Sequence, residues 1–190
     1  LARSHNKSHI LKNLTKKINF KDVTERYSCI GLFGPNSRNF LTELFGDYFS
    51  KEDFPFSRGK YINISNSKVW FQRLSFIGEL GWEIYIPIEK TNIIFKKIKK
   101  LGKVYKLTYS GMHALDILRL EKKFLHWGHD ITSENNPFEA GLSFAVNFKK
   151  SENFIGREAL EKMINKPIKK KLELFSLKKN FKPGTPLLLH

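Results

Sequence analysis

The spacing of hydrophobic residues along the chain predicts alternating strands and helices. Apolar runs and apolar–polar alternation predict strands at 27–33, 61–65, 68–75, 82–87 and 170–178. Apolar positions three or four residues apart predict helices at 9–17, 35–46, 90–101, 110–124 and 155–165. The helix at 110–124 is apolar around much of its circumference, so we expect it to be well buried.

The order of these elements favours an α+β fold. The strands at 61–65 and 68–75 are adjacent, and Asn66-Ser67 between them predicts a tight hairpin turn. The strands follow one another as adjacent hairpins, whereas a parallel sheet would have regular strand–helix–strand units. We therefore expect an antiparallel sheet with helices on one face.

A glycine-bracketed turn at residues 78–81 leads into the strand at 82–87. Apolar residues at 82, 84 and 86 alternate with Glu83 and Tyr85, so Glu83 and Tyr85 lie on the opposite face of that strand. A carboxylate among aromatic groups offers two acceptor oxygens, which suit a ligand edge with two parallel N–H donors. The alternatives are a solvated strand glutamate, or a salt bridge from this glutamate to one of two arginines, Arg73 or Arg119.

The net charge favours a solvated surface over a nucleic-acid-binding site. The chain has 34 Lys and Arg against 18 Asp and Glu, a formal net charge of +16, and the basic residues are 27 Lys and 7 Arg. Nucleic-acid readers favour arginine because its planar guanidinium pairs with two acceptors at once. We therefore expect no nucleic-acid partner; steering of an anionic ligand and a basic nucleic-acid-binding domain are the alternatives.

The sequence lacks the residues that several classes of functional site require. The single cysteine, Cys29, excludes a disulfide scaffold and a cysteine zinc site. His126 and His129 have no third ligand nearby, so no metal site is expected. No phosphate-binding glycine loop and no Gly-x-Ser-x-Gly turn occurs. Without a run of ~20 apolar residues or a secretory pattern, the chain is expected to be cytoplasmic and to have no membrane partner.

Ordered motifs between about residues 20 and 175 resemble the glycine-cleavage T-protein (aminomethyltransferase) family. Residues 75–87 (SFIGELGWEIYIP) are similar to the family stretch SYTGELGWELYVP, and residues 30–38 (IGLFGPNSR) are similar to its LxGPxSR turn. Further segments are similar to the family's LRLEK, WGxDI, PxEAGL and FIGREAL; they are 118–122, 127–131, 137–142 and 154–160. Within the family, the motifs look most like the folate domain of dimethylglycine and sarcosine dehydrogenases.

This resemblance implies a tetrahydrofolate site within a cloverleaf of subdomains. Glu83 matches the family glutamate that holds the 2-amino and N3–H edge of the pterin, and Phe76 matches an aromatic position near that ring. With Tyr85, which shares the face of Glu83, they are the predicted folate-binding residues. Leu115 stands where the stand-alone transferases carry a folate-contacting arginine, so the partner of the folate tail stays open. FAD is expected only if a dehydrogenase domain lies upstream.

The resemblance also implies that the chain is a middle piece of a longer enzyme. Residues 1–26 are interpreted as the remnant of a preceding subdomain, 27–168 as the folate-binding subdomain, and 169–190 as the start of a truncated C-terminal subdomain. The family's catalytic aspartate has no counterpart here, so no catalytic residue is assigned and the chain alone is expected to be inactive.

The expected function is therefore the tetrahydrofolate-binding part of a one-carbon (aminomethyl or methylene) transferase. Folate is its expected partner, and surface exposed by truncation favours self-association. A non-catalytic folate-binding accessory protein of the same fold is the alternative.

Overall fold

A computed structural model describes residues 2–14 and 18–175, which belong to two units, Leu1–Lys122 and Lys123–His190. The first unit contains four helices, α1 (Ala2–Asn13), α2 (Ser37–Phe45), α3 (Thr91–Gly102) and α4 (Met112–Glu121). Its strands are β1 (Tyr27–Phe33), β2 (Gly59–Ile64), β3 (Ser67–Gln72) and β4 (Gly81–Pro87). The second unit contains α5 (Arg157–Ile164). The subdomain boundaries predicted at residues 26 and 168 stay predictions.

The four strands form one antiparallel sheet in the order β1-β4-β3-β2. β4 pairs along its whole length with β1 and, through its middle residues 83–85, with β3. Helices α2 and α3 pack against β4 and against each other, on the side where the apolar strand residues are buried. The predicted α+β fold, with an antiparallel sheet and helices on one face, is confirmed.

The core centres on Trp82, whose side chain is fully buried. The rings of Phe49 and Phe54 meet the indole edge-on, with centroids 5.6 and 5.8 Å away. Two guanidinium groups lie over the same indole, those of Arg38 at 5.3 Å and Arg73 at 5.9 Å from its centroid. Both arginines also donate to backbone carbonyls of the loop before β2. They therefore connect that loop to Trp82 and hence to the sheet.

Helix α4 differs from the prediction that it is well buried. Met112, Ile117 and Leu120 are exposed, and the one buried residue of the helix is Arg119, which is ion-paired with Asp116 at 2.7 Å. A helix that is apolar all round needs neighbours on every side to be buried. The described residues leave several of its apolar side chains uncovered, so apolar pattern alone overstated its burial.

Other differences concern element ends. The hairpin turn is Ser65-Asn66, one residue earlier than predicted, and both residues have positive φ, 51° and 59°, as the tight turns that suit a twisted hairpin require. Residues 170–175 have no regular secondary structure, so the strand predicted there is wrong over that part, and 176–178 lie outside the described residues. The helix predicted at 9–17 is α1, which begins earlier and ends at Asn13; residues 15–17 are likewise outside the described residues.

Replacing Gly81 by alanine tests the pairing of β4 with β1. A Cβ at Gly81 would clash with the Leu32 carbonyl and the Phe33 ring of β1, and backbone cannot move aside as a flexible side chain does. We expect Gly81→Ala to lower the free energy of unfolding by about 1–3 kcal/mol, the usual cost of overpacking. The measurement is urea unfolding followed by fluorescence.

Gly111→Ala is the matched control. Gly111 has a φ of −92° and nothing within 4 Å of an added Cβ, so alanine is accommodated there without strain. Equal unfolding midpoints for the two variants would contradict the close approach of β1 to β4.

Candidate functional site

The face of the sheet turned away from the core carries polar and aromatic side chains in two rows. Residues that point to this face alternate with the buried ones, because successive side chains of a strand lie on opposite sides. The strand register aligns two cross-strand rows on this face. The first row is Gly59, Gln72, Glu83 and Gly31, and the second is Tyr61, Trp70, Tyr85 and Cys29.

Glu83 lies in the middle of the first row and is half-buried. The phenol of Tyr85 donates a hydrogen bond of 2.7 Å to Glu83 Oε2. Among the described residues Glu83 forms no ion pair: Arg73 donates to the Phe54 carbonyl, and Arg119 pairs with Asp116. The neutral Tyr85 phenol therefore orients the Glu83 carboxylate. The phenol occupies only one of the lone pairs of the carboxylate, so the others remain as acceptors.

The charge of Glu83 acts on both neighbours in the second row. The hydrogen bond to Glu83, together with burial, raises the pKa of the Tyr85 phenol, so the phenol stays a donor well above neutral pH. Burial raises the pKa of the Cys29 thiol, and the negative charge of Glu83 raises it further. Cys29 is therefore a thiol rather than a thiolate near neutral pH.

Two glycines of the first row are covered by aromatic rings. The Phe33 ring lies over Gly31, and the Trp70 indole lies over Gly59, each so close that a Cβ would clash with it. Phe33 and Tyr85 thus provide flat apolar surface on either side of Glu83. Farther along the face, a shallow hollow of about 350 Å³ is lined by aromatic and apolar side chains, Val23, Tyr27, Tyr61, Trp70 and Tyr85.

A larger groove of about 780 Å³ lies beside β1. Its walls come from the end of β1, the turn before α2, residues 105–111 and α4. Most of the lining is apolar, and its charged side chains are Glu79 and Lys106. Phe33 and Gly31 line this groove as well as the sheet face, so the groove begins one strand away from Glu83.

The structure brings together two of the three predicted folate residues. Glu83 and Tyr85 are hydrogen-bonded neighbours on one face, as the alternation of β4 predicts. Phe76 lies in the loop between β3 and β4 and is 37% exposed, and its neighbour Ile77 lines the larger groove. Folate binding by all three residues stays a prediction.

Two further features concern metal binding and membrane crossing. The rings of His126 and His129 stack with centroids 5.2 Å apart, and within the described ranges no three His, Cys, Asp or Glu side chains are grouped to hold a metal ion. No helix in the described part of the chain is long and apolar enough to cross a membrane.

Sequence reasoning missed the partners of Glu83 on neighbouring strands. Gly31, Phe33 and Trp70 complete the site through the register of β1 and β3, which the alternation within one strand does not specify. The alternation of Trp70 and Gln72 with Val69 and Phe71 was a usable signal for the face of β3.

The reactivity of Cys29 reports the charge of Glu83. Removing that charge with Glu83→Gln lowers the pKa of Cys29, so we expect iodoacetamide to alkylate the thiol about two- to threefold faster at pH 8. The chain has one cysteine, so the rate is unambiguous. Glu79→Gln, which leaves Glu83 intact, is the control; equal rates for wild type and Glu83→Gln would place Glu83 away from the thiol.

Comparisons with known proteins agree with the motifs and the fold. The family described as the GCVT N-terminal domain matches residues 1–150. Human mitochondrial sarcosine dehydrogenase is 35% identical over 91% of this chain and 19% of its own length. Human mitochondrial dimethylglycine dehydrogenase is 34% identical over 84% of the chain and 18% of its own length. An aminomethyltransferase from Caldanaerobacter subterraneus is 32% identical over 85% of the chain and 42% of its own length.

The chain thus spans about a fifth of the length of the two dehydrogenases and less than half of the transferase. The match covers the β4 segment with Glu83 and the whole sheet of the first unit. The resemblance drawn from the ordered motifs is confirmed, and the chain belongs to the glycine-cleavage T-protein family as a GCVT N-terminal domain.

Proposed function

We propose that the outer face of the sheet binds the pterin ring of tetrahydrofolate through Glu83. In this proposal the chain is the folate-binding part of a one-carbon transferase, in a demethylating enzyme of the sarcosine or dimethylglycine dehydrogenase type. The observation that carries the proposal is the half-buried Glu83 carboxylate, which has no cationic partner among the described residues and lies between aromatic rings. The family membership and the names of the relatives support the same function.

The chemistry of this site fits the ligand. A pterin presents its 2-amino group and N3–H side by side, and a carboxylate with one oxygen already bonded to Tyr85 still has lone pairs for both donors. Such charge-assisted hydrogen bonds are about twice as strong as neutral ones. The rings of Phe33 and Tyr85 offer apolar surface to a flat heterocycle.

Each residue of the site has a separate task in this proposal. Tetrahydrofolate supplies the nitrogen atoms that accept the one-carbon unit. Glu83 binds and orients the pterin, and Tyr85 holds the Glu83 carboxylate in its rotamer. Trp82, buried on the opposite face, keeps β4 from sliding. The group that moves protons at the reacting carbon is proposed to lie outside these residues.

Glu83→Gln in the full-length protein tests the proposal. The amide keeps the shape but loses the charge and presents a donor to a donor, so we expect tetrahydrofolate binding to weaken by about 1–3 kcal/mol. Tyr85→Phe removes only the orienting hydrogen bond, and a smaller loss of about 0.5–1.5 kcal/mol is expected. Anaerobic isothermal titration calorimetry measures both losses.

Glu89→Gln serves as the control, because Glu89 is exposed beyond the end of β4 and its substitution removes the same charge. Tetrahydrofolate affinity should match that of wild type. If Glu83→Gln binds tetrahydrofolate as tightly as Glu89→Gln does, Glu83 does not hold the pterin.

A further inference from the structure

The shallow hollow on the outer face of the sheet is lined almost entirely by aromatic rings. Each strand contributes one of them: Tyr27 from β1, Tyr61 from β2, Trp70 from β3 and Tyr85 from β4. The remaining lining residue is Val23, and among the described residues no charged side chain lines the hollow. A ligand bound there is therefore held by ring faces and not by ion pairs.

These rings are held in place before any ligand arrives. The Tyr61 and Trp70 rings meet at 63°, with their centroids 4.8 Å apart. Gly59 has no side chain, which leaves the space that the Trp70 indole occupies. Tyr85 is fixed by the hydrogen bond that its phenol donates to Glu83. A preorganised surface of this kind loses little side-chain entropy when it binds a ligand.

The electrostatics of the hollow favour a cation. The face of an aromatic ring carries partial negative charge, so several rings around one space attract positive charge. The Tyr85 phenol also donates to the Glu83 carboxylate, and this hydrogen bond polarises the phenol and makes its ring richer in electrons. Glu83 lies outside the lining, so its charge adds to the attraction without occupying the hollow.

Aromatic rings elsewhere in the protein are already paired with cations of the chain itself. The guanidinium groups of Arg38 and Arg73 lie over Trp82, and the Lys60 ammonium lies 4.6 Å from the ring centroid of Phe54. Over the rings of the hollow, by contrast, the described part of the chain places no lysine or arginine. The hollow is thus open to a cation that a ligand supplies.

Hydration decides which cation suits the hollow. A sodium ion or a primary ammonium group binds water strongly, and the lining has no carboxylate to replace that water. A trimethylammonium group spreads its charge over methyl groups that pack against rings, and aromatic cages are its usual sites. We infer that the hollow, with a volume of about 350 Å³, binds the trimethylammonium group of a small organic molecule. The inference goes beyond the proposed function and does not depend on it, because neither Glu83 nor Phe33 lines the hollow.

The test titrates the full-length protein with choline and with 3,3-dimethyl-1-butanol, the neutral molecule that has carbon in place of the choline nitrogen. Saturation-transfer NMR detects the methyl signals of both probes. Because the two molecules have the same shape, the difference between their affinities measures the attraction of the charge. We expect choline to bind about three- to tenfold more tightly than its neutral analogue.

Substitutions of Tyr61 assign the binding to the hollow. The Tyr61 side chain is 59% exposed, so replacing it leaves the core intact. We expect Tyr61→Leu to weaken choline binding about two- to fivefold, because one ring face is lost. Tyr61→Phe keeps the ring and should bind choline like wild type. Tyr109→Leu is the matched control, since Tyr109 is similarly exposed and lies outside the hollow; its choline affinity should be unchanged.

Three results would overturn the inference. Equal choline affinity for wild type and Tyr61→Leu would place any binding elsewhere in the protein. Equal affinities of wild type for choline and its neutral analogue would mean that apolar contact, and not charge, holds the methyl groups. Absence of choline binding would leave the hollow without this ligand. Tetrahydrofolate binding is measured in separate titrations, so each of these results leaves the proposed function unaffected.

Discussion

The candidate site depends on the pairing of β4 with a strand on each side. That pairing prevents β4 from shifting or rotating, because a shift of one residue would turn every side chain to the other face. Trp82 is fully buried beneath two phenylalanines and two guanidinium groups, and burial of such a side chain is worth several kcal/mol. A strand with Trp82, Ile84 and Ile86 in the core must present Glu83 and Tyr85 on the other side.

The core and the site thus use opposite faces of the same strand, β4. The apolar face supplies the stability, and the opposite face carries a charge that the core would not tolerate. Glu83 keeps much of its hydrogen-bonding capacity because, within the described part of the chain, its side-chain donor is the Tyr85 phenol rather than an arginine. Gly31 of β1 lies beside Glu83 and is covered by the Phe33 ring, so this end of the first row is apolar.

The sequence was sufficient for features that one strand or one turn determines. Alternation along 82–87 placed Glu83 and Tyr85 together, and the hairpin at 61–75 was predicted to within one residue of its turn. Features that depend on pairing with other strands could not be predicted from the sequence. The row from Gly59 to Gly31, for example, requires the register of four strands. The exposure of α4 was also missed, because apolar composition shows what a helix is able to bury and not what covers it.

The most direct measurement is a crystal structure of the full-length protein with tetrahydrofolate bound. The account predicts that the pterin lies on the outer sheet face beside Phe33, with its 2-amino nitrogen and N3 each about 2.7–3.2 Å from a Glu83 carboxylate oxygen. Tyr85 should still donate to the same carboxylate. A pterin bound elsewhere, with Glu83 in contact with solvent or paired with an arginine, would contradict the central claim.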